Sequence, residues 1–455
     1  MDQLKRTKKS ELTTKVLQFG EGNFLRGFVD WMIDRLNKEY HWKGGVTVVQ
    51  PLNVGLIDQI NEQDGLYHLY LRGLLNGEKV EETRVVECIT NAINPYRDTE
   101  AFFECAQNPD LRFIVSNTTE AGIEYKSGQS ADDFAGTTFP GRLTMFLKKR
   151  FDAGLPGFIF LPCELIDRNG DCLKSCILKY AADWNYGQAF CDWIENENVF
   201  TNTLVDRIVT GYPRDNAAEM CEQYGVQDNI IDTAEIFHLW VIEGDQKLAE
   251  EIPFHKIGLN VLWTNDVTPY KKRKVRILNG AHTMMVPAAY LAGIRTVREA
   301  MEDETVFSFM KKGLFEEIIP TLDLPKEELI QFANDVIERF RNPFLKHYLI
   351  SIALNSVSKF KVRVLPSLLS YLDANHEEPK CLVFSLAALI TFYKTDDAND
   401  GAEILQFMKQ ASIREILAKT EYWDCDLTPL LPSVERYYRM IQEKGVREAI
   451  QEVLS

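Results

Sequence analysis

The sequence has no CxxC pair and no HExxH segment, and its seven histidines are scattered. Structural zinc sites and zinc-peptidase centres depend on such spacings to bring ligands together, so no metal is expected. No apolar run approaches the roughly 18 to 20 residues that cross a bilayer. The opening stretch, MDQLKRTKKSELTTK, is basic but leads into no apolar segment, so it does not read as a secretion signal. Positive charge is in deficit: 51 Lys and Arg stand against 67 Asp and Glu, a net charge of −16. A phosphate backbone repels such a chain, so neither nucleic acid nor a membrane is an expected partner. The nine cysteines are odd in number and unpaired in spacing, which fits free thiols in a reducing cytoplasm. Internal repeats and low-complexity segments are also missing.

What remains is an ordinary globular composition over 455 residues, more than one core usually supports, so two domains are expected. KVLQF reads as a buried strand, Gly20-Glu21-Gly22-Asn23 as a tight turn, and FLRGFVDWMIDRLNKEY as an amphipathic helix. VTVVQ, ending at Gln50, is a second strand. Strand, glycine turn, helix and strand make a βαβ unit of the size that binds a dinucleotide. In such a unit the first glycine permits the turn, the second lets backbone N–H groups approach a pyrophosphate, and the helix N-terminus favours its charge. Glycines after a strand also make plain turns, and Leu25 stands where a full fingerprint has its third glycine.

Further strands are expected at Tyr67 to Leu75 and Lys79 to Ile89 around an Asn76-Gly77 hairpin, at RFIVSN and at GFIFLP. They alternate with helical stretches such as RLTMFLKKRF and DCLKSCILKYAADW, which predicts a mostly parallel sheet with helices on both faces. After about residue 270 helical patterns dominate: AHTMMVPAAYLAG, FSFMKKGLFEEIIPTL, HYLISIALNSVSKF, CLVFSLAALITFYK and VERYYRMIQEKGVREAI. The expected fold is an α/β Rossmann-like dinucleotide-binding domain over residues 1–270 and a mainly α-helical substrate-binding domain over 271–455. The candidate cofactor residues are Phe19, Gly20, Gly22, Asn23 and Phe24 at the turn, Gln50 at the second strand end, and Asn117 and Thr119 after RFIVSN. Gln50-Pro51 offers neither an acid for a ribose nor an arginine for a 2′-phosphate, which favours NAD. Arg26, in the first helical turn, is a candidate for phosphates or a substrate carboxylate.

Two basic zones stand out in this acidic chain: Lys271 to Arg276, and Arg339, Arg341, Lys346, His347, Lys359, Lys361 and Arg363. Either is compatible with a solvated face; together they suit an anionic substrate. Within KVRILNGAH, Asn279 and His282 are three apart and share a helix face. Lys274, five before Asn279, does not share that face on a continuous α-helix. A lysine can take a proton from an alcohol if its amine is neutral, and burial and neighbouring cations promote that state. Lys271, Lys272, Arg273 and Arg276 are candidate cations.

The KxxxxNxxH pattern resembles the polyol-specific long-chain dehydrogenases, the mannitol dehydrogenase family. The resemblance runs through LQFGEGNFLRGFVDWMIDRLN, SNTTEAGI, PCELIDRNGD, TNTLVDRIVTGYPRD, TPYKKRKVRILNGAHT and RFRNPFLKH, nearly the whole chain. It implies that Lys274 is the general base, that Asn279 stabilises the developing oxyanion and that His282 orients the substrate. It also implies hexuronate chemistry, the NADH-dependent reduction of D-tagaturonate to D-altronate. Fructuronate reduction and mannitol-type polyol oxidation are the alternatives. Asp206 matches an aspartate lining the family's substrate pocket. Cys163-Glu164-Leu165 stands where mannitol dehydrogenases tend to show Cys-Asp-Asn, so Leu165 replaces a second oxyanion donor and Glu164 or a backbone N–H is expected to take part. Arg341, His347 and Lys359 are candidates for the far end of the substrate, since arginine binds carboxylates bidentately. A non-catalytic nucleotide sensor is the reading from another class, and the joint presence of Lys274, Asn279 and His282 argues against it. Oligomeric state is not legible.

Overall fold

A computed structural model describes residues 1–119 and 121–455. Contacts between Cα atoms divide them into two compact units, residues 1–72 with 80–267, and residues 73–79 with 268–455. The described strands are β1 (Thr13–Phe19), β2 (Gly44–Val49), β3 (Tyr67–Leu75), β4 (Glu78–Val86), β5 (Ile89–Ile93), β6 (Phe113–Ser116), β7 (Ile159–Pro162), β8 (Val199–Phe200), β9 (Asn202–Asp206), β10 (Asp232–Ala234), β11 (Leu239–Glu243) and β12 (Val261–Thr264).

Six of them form one sheet in the order β5-β2-β1-β6-β7-β8, every pairing parallel. Alternation along each strand sorts its side chains into two cores. Val16, Val46, Val48, Val115, Ile159 and Leu161 pack with Met32, Ile33 and Leu36 of the helix Trp31–Tyr40. Leu17, Phe19, Val49, Ile114 and Phe160 pack instead with Leu143, Phe146, Leu173 and Ile177 from the helices Phe139–Asp152 and Asn169–Asp183. Both faces are therefore covered, as an all-parallel sheet requires. Lys79 to Ile89 is not one strand. β4 ends at Val86, and Ile89 opens β5 in the main sheet. Two three-stranded sheets, β10-β3-β4 and β12-β11-β9, complete this unit. Asn76 and Gly77 take φ of 55° and 82° at the β3–β4 turn, the left-handed pair a two-residue hairpin needs.

The second unit is built on the helix Lys380–Tyr393, whose residues from Cys381 to Tyr393 are all buried. HYLISIALNSVSKF is two short helices, Leu349–Ile352 and Ser356–Arg363, because Asn355 turns left-handed at φ 55°. VERYYRMIQEKGVREAI likewise breaks at Gly445, φ 85°. No described helix is long and apolar enough to cross a membrane.

The helix Lys380–Tyr393 has no capping side chain at Pro379. Glu317 does that work from elsewhere in the sequence: its carboxylate accepts from the N–H groups of Cys381 and Leu382, both at 2.9 Å. A carboxylate is favoured at a helix N-terminus, and this one is buried. Glu317→Ala would strand two buried N–H donors, and we expect a loss of about 3 kcal/mol in urea unfolding. A loss below about 0.5 kcal/mol would show that water replaces the carboxylate there.

Candidate active site

The strand order of the main sheet reverses between β1 and β6, and open α/β sheets bind ligands beyond the carboxyl ends of their strands at such a reversal. The glycine turn is there. Gly20 has φ +127°, and a Cβ on it would lie 3.0 Å from the Asn117 carbonyl oxygen and 3.1 Å from Leu25. Asn117 N–H in turn donates to the Phe19 carbonyl at 3.0 Å. The structure thus brings Phe19, Gly20 and Asn117 together. A Cβ on Gly22 would meet no atom within 4 Å, so the outer side of the turn is open. Gly22 caps the following helix without a side chain. Open space beside a helix N-terminus suits the pyrophosphate of a dinucleotide.

Several predicted ligands point elsewhere. Phe19's ring lies in the core against Phe102 and Phe139, and Phe24's ring stacks on Phe28. Arg26 is buried: its guanidinium donates to the Glu21 carbonyl, the Ile230 carbonyl and the Asn23 side chain. It is committed to the turn's interior, not to a ligand, and Asn23 spends its Oδ1 there. Gln50 turns inward and donates to the Leu52 carbonyl at 2.7 Å. Arg142 donates to the Pro51 carbonyl from a buried position, so a cation does reach the end of β2, already committed to a carbonyl. Glu164 is buried and accepts from Ser116 Oγ, Thr118 N–H and Thr118 Oγ1, each at 3.0 Å. It braces the loop after β6, where Thr119 follows with φ 71°, and burial raises its pKa. Beside it, the Leu165 side chain is exposed. Asp206 ends β9, buried and paired in register with Leu239 of β11.

In the second unit the helix Thr268–Arg273 runs into a π-helical turn, Lys274–Asn279, and continues as the helix Gly280–Leu291. In that turn each N–H bonds to a carbonyl five residues back instead of four, a register often found at functional sites. The residue five places on comes round above the first, so the turn brings Lys274 and Asn279 to one side. A continuous α-helix would separate them. The α-helix resumes after Asn279 and carries His282 on the same side. Gly280 fits closely: a Cβ there would lie 3.1 Å from the Arg363 carbonyl. The neighbouring cations have other partners. Lys272 pairs with Asp323 at 3.5 Å, Arg273 lies over the Phe332 ring, and Arg276 donates to Ser367.

His282 stacks on Phe340, with ring centroids 3.9 Å apart, and meets His347 edge-on at 5.2 Å. Its Nε2 is buried without a hydrogen-bond partner among the described residues. Burial, then His347, Arg339, Arg363 and Lys359, hold its pKa well below the usual histidine value. Of the three predicted grips, His347 therefore meets His282, while Lys359, whose charge His282 feels, donates from Nζ to the Ile352 carbonyl at 2.8 Å. Arg341 is exposed and stacks over Phe307. Phe340 also borders His282 and was not singled out from the sequence, while Arg339 and Arg363 stood there only as members of a basic zone. Among the described residues no three His, Cys, Asp or Glu side chains group as metal ligands.

Residues 14–256 match the mannitol dehydrogenase Rossmann domain, and residues 266–445 match the mannitol dehydrogenase C-terminal domain. The chain belongs to the mannitol dehydrogenase family. Within it, altronate oxidoreductases from Escherichia coli O17:K52:H18 (strain UMN026 / ExPEC) and Shigella flexneri are 46% identical to it, over 96% of this chain and 96% of theirs. A D-sorbitol dehydrogenase in substrate-free form superposes with a TM-score of 0.84 at 24% identity, covering 98% of this chain and 97% of its own. Mannitol 2-dehydrogenase of Pseudomonas fluorescens, in complex with NAD and D-mannitol, gives 0.71 at 24%, covering 99% and 96%. These two share the fold. The chain is an oxidoreductase of the CH–OH class in this mannitol dehydrogenase family.

The environment of His282 fixes its charge. A histidine whose folded pKa is depressed is neutral through the range where an unfolded one, near 6.5, would titrate. In a proton-detected NMR titration from pH 8 to 5, the His282 ring should keep its neutral shifts while exposed histidines titrate. A midpoint near 6.5 for His282 would contradict its burial among cations.

Proposed function

We propose that the chain interconverts D-tagaturonate and D-altronate with NAD as cofactor, and that Lys274, Asn279 and His282 carry the chemistry. The observation behind the reading is the π-helical turn, which gathers these side chains on one side, together with the buried, unpartnered Nε2 of His282. Full-length similarity to altronate oxidoreductases supports the substrate, and the open outer side of Gly22 supports a dinucleotide. Gly20, Gly22, Asn117 and Thr119 frame its place, with Gln50, Asn23, Phe19 and Phe24 shaping the turn and strand ends from within.

The nicotinamide, when bound, supplies the hydride in reduction and takes it in oxidation. As the ketone carbon gains hydride, its oxygen becomes an alkoxide; Lys274 gives that oxygen a proton, and in the reverse direction removes it. Asn279 donates from its amide to the same oxygen and lowers the cost of the developing charge. Neutral His282 hydrogen-bonds a substrate hydroxyl through Nε2. His347 meets His282, and the positive charges of Arg339, Arg363 and Lys359 act on it; we assign these groups to the substrate carboxylate, which a plain polyol lacks. In this reading the first unit binds the nucleotide and the second holds these groups, and Asp206 is assigned to substrate binding. Nine free thiols and no membrane-crossing helix among the described residues accord with a cytoplasmic enzyme.

Lys274→Ala should lower turnover by about 10²–10⁴-fold while NADH affinity stays within about threefold. Rates of NADH oxidation with tagaturonate, fructuronate and fructose test the substrate, and tagaturonate should be preferred. Preference for fructose would remove the sugar-acid reading, and unchanged turnover would remove Lys274 from its role.

A further inference from the structure

Beneath the glycine turn lies a group of buried polar side chains that strand β1 would ordinarily exclude. Gln18, fully buried, donates from Nε2 to the Gly20 carbonyl at 3.0 Å and to Asp30 Oδ2 at 3.2 Å. Arg26 donates from Nε to the Glu21 carbonyl at 3.1 Å. Two consecutive carbonyls of the turn are thus pulled to the same inner side. In a trans peptide the N–H of the next residue points opposite to the carbonyl. Holding Gly20 C=O inward turns Glu21 N–H to the other side, where Glu21's own carboxylate accepts from it, and holding Glu21 C=O inward turns Gly22 N–H outward, toward the open space beside Gly22.

The donors are themselves held. Arg26 also donates to the Ile230 carbonyl at 2.5 Å, and its own carbonyl accepts from Tyr67 Oη at 2.7 Å. Asp30 and Asp232, both buried, feel its positive charge, which opposes the rise that burial gives their pKa values. A buried cation needs such counter-charges, and removing one leaves the rest uncompensated. The helix after the turn runs through a π-helical segment, Arg26–Asp30, whose two end residues are Arg26 and the partner of Gln18.

We propose that Gln18 and Arg26 are positioning residues for the dinucleotide: they hold the turn's carbonyls from beneath so that Gly22 N–H faces the pyrophosphate. The inference rests on the turn being the dinucleotide site, so the experiment carries a control for that reading. NADH is titrated against unliganded wild type, Gln18→Leu, Arg26→Lys and Gly22→Val by the change in nicotinamide fluorescence, and kcat and both KM values are measured beside it. Gln18→Leu should weaken NADH binding about five- to tenfold, the scale of one lost hydrogen bond, and raise KM for NADH alike. Its kcat at saturating NADH and its KM for the sugar acid should stay within twofold. A merely structural role would lower the fraction of active protein and leave the KM values unmoved. If Gln18→Leu does not fold, Arg26→Lys, which keeps the buried charge but loses the fork, decides by the same criterion. Wild-type NADH affinity in the folded variants, with Gly22→Val abolishing binding, overturns the positioning role alone. Wild-type affinity in Gly22→Val overturns the reading of the turn itself.

Discussion

The candidate site of the second unit depends on a shift of one residue in a hydrogen-bond ladder. Between Lys274 and Asn279 the helix bonds five residues back, and on either side it bonds four. The wider turn costs backbone packing, yet it gives two side chains five residues apart a common direction. Around it the fit is close. Gly280 admits the Arg363 carbonyl, and Phe340 lies flat against His282. A short run of main chain therefore sets the directions in which this amine, amide and imidazole point.

The first unit adds irregular burial to the same device, for its first helix also passes through a π-helical segment, Arg26–Asp30. Its parallel sheet is mostly apolar on both faces. Gln18 on β1, Arg26 and Asp30 on the following helix and Asp232 on β10 are all buried in this unit. Polar groups in such a place are costly unless satisfied by partners. Here the partners include the carbonyls of the turn, so part of the desolvation cost is offset by rigidity where the loop would otherwise move.

Much of this could be read in the residue string. Strand, turn and helix near Gly20 follow from period and glycine placement, and the KxxxxNxxH segment marks its own importance. The parallel sheet and its two-sided burial follow from alternating helices and continuous apolar strands. Other features were hidden for definite reasons. Nothing in KVRILN distinguishes i→i+5 bonding from i→i+4, because composition carries no register. Arg26 reads as a phosphate ligand from its place in the first turn, and only the fold shows that Ile230, from a distant segment, takes its guanidinium. Gln50 and Arg142 meet the same loop from positions far apart in sequence. Arg339 and Arg363 belong to separate helices, and their approach to His282 is a tertiary fact. The short strands β9 to β12 were missed because runs of three to five residues are too brief for periodicity to separate from loop.

Residues 73–79, the tip of the β3–β4 hairpin, belong by contact to the helical unit, where Gly77 N–H donates to Glu338 at 2.6 Å. The second unit is thus discontinuous along the polypeptide. During synthesis a piece of it emerges nearly two hundred residues before the rest, so its assembly must wait for the ribosome to finish most of the chain. Excising residues 268–455 as a stand-alone fragment would leave Glu338 facing an empty socket, and a gene fusion or circular permutation that respects the physical units has to cut twice.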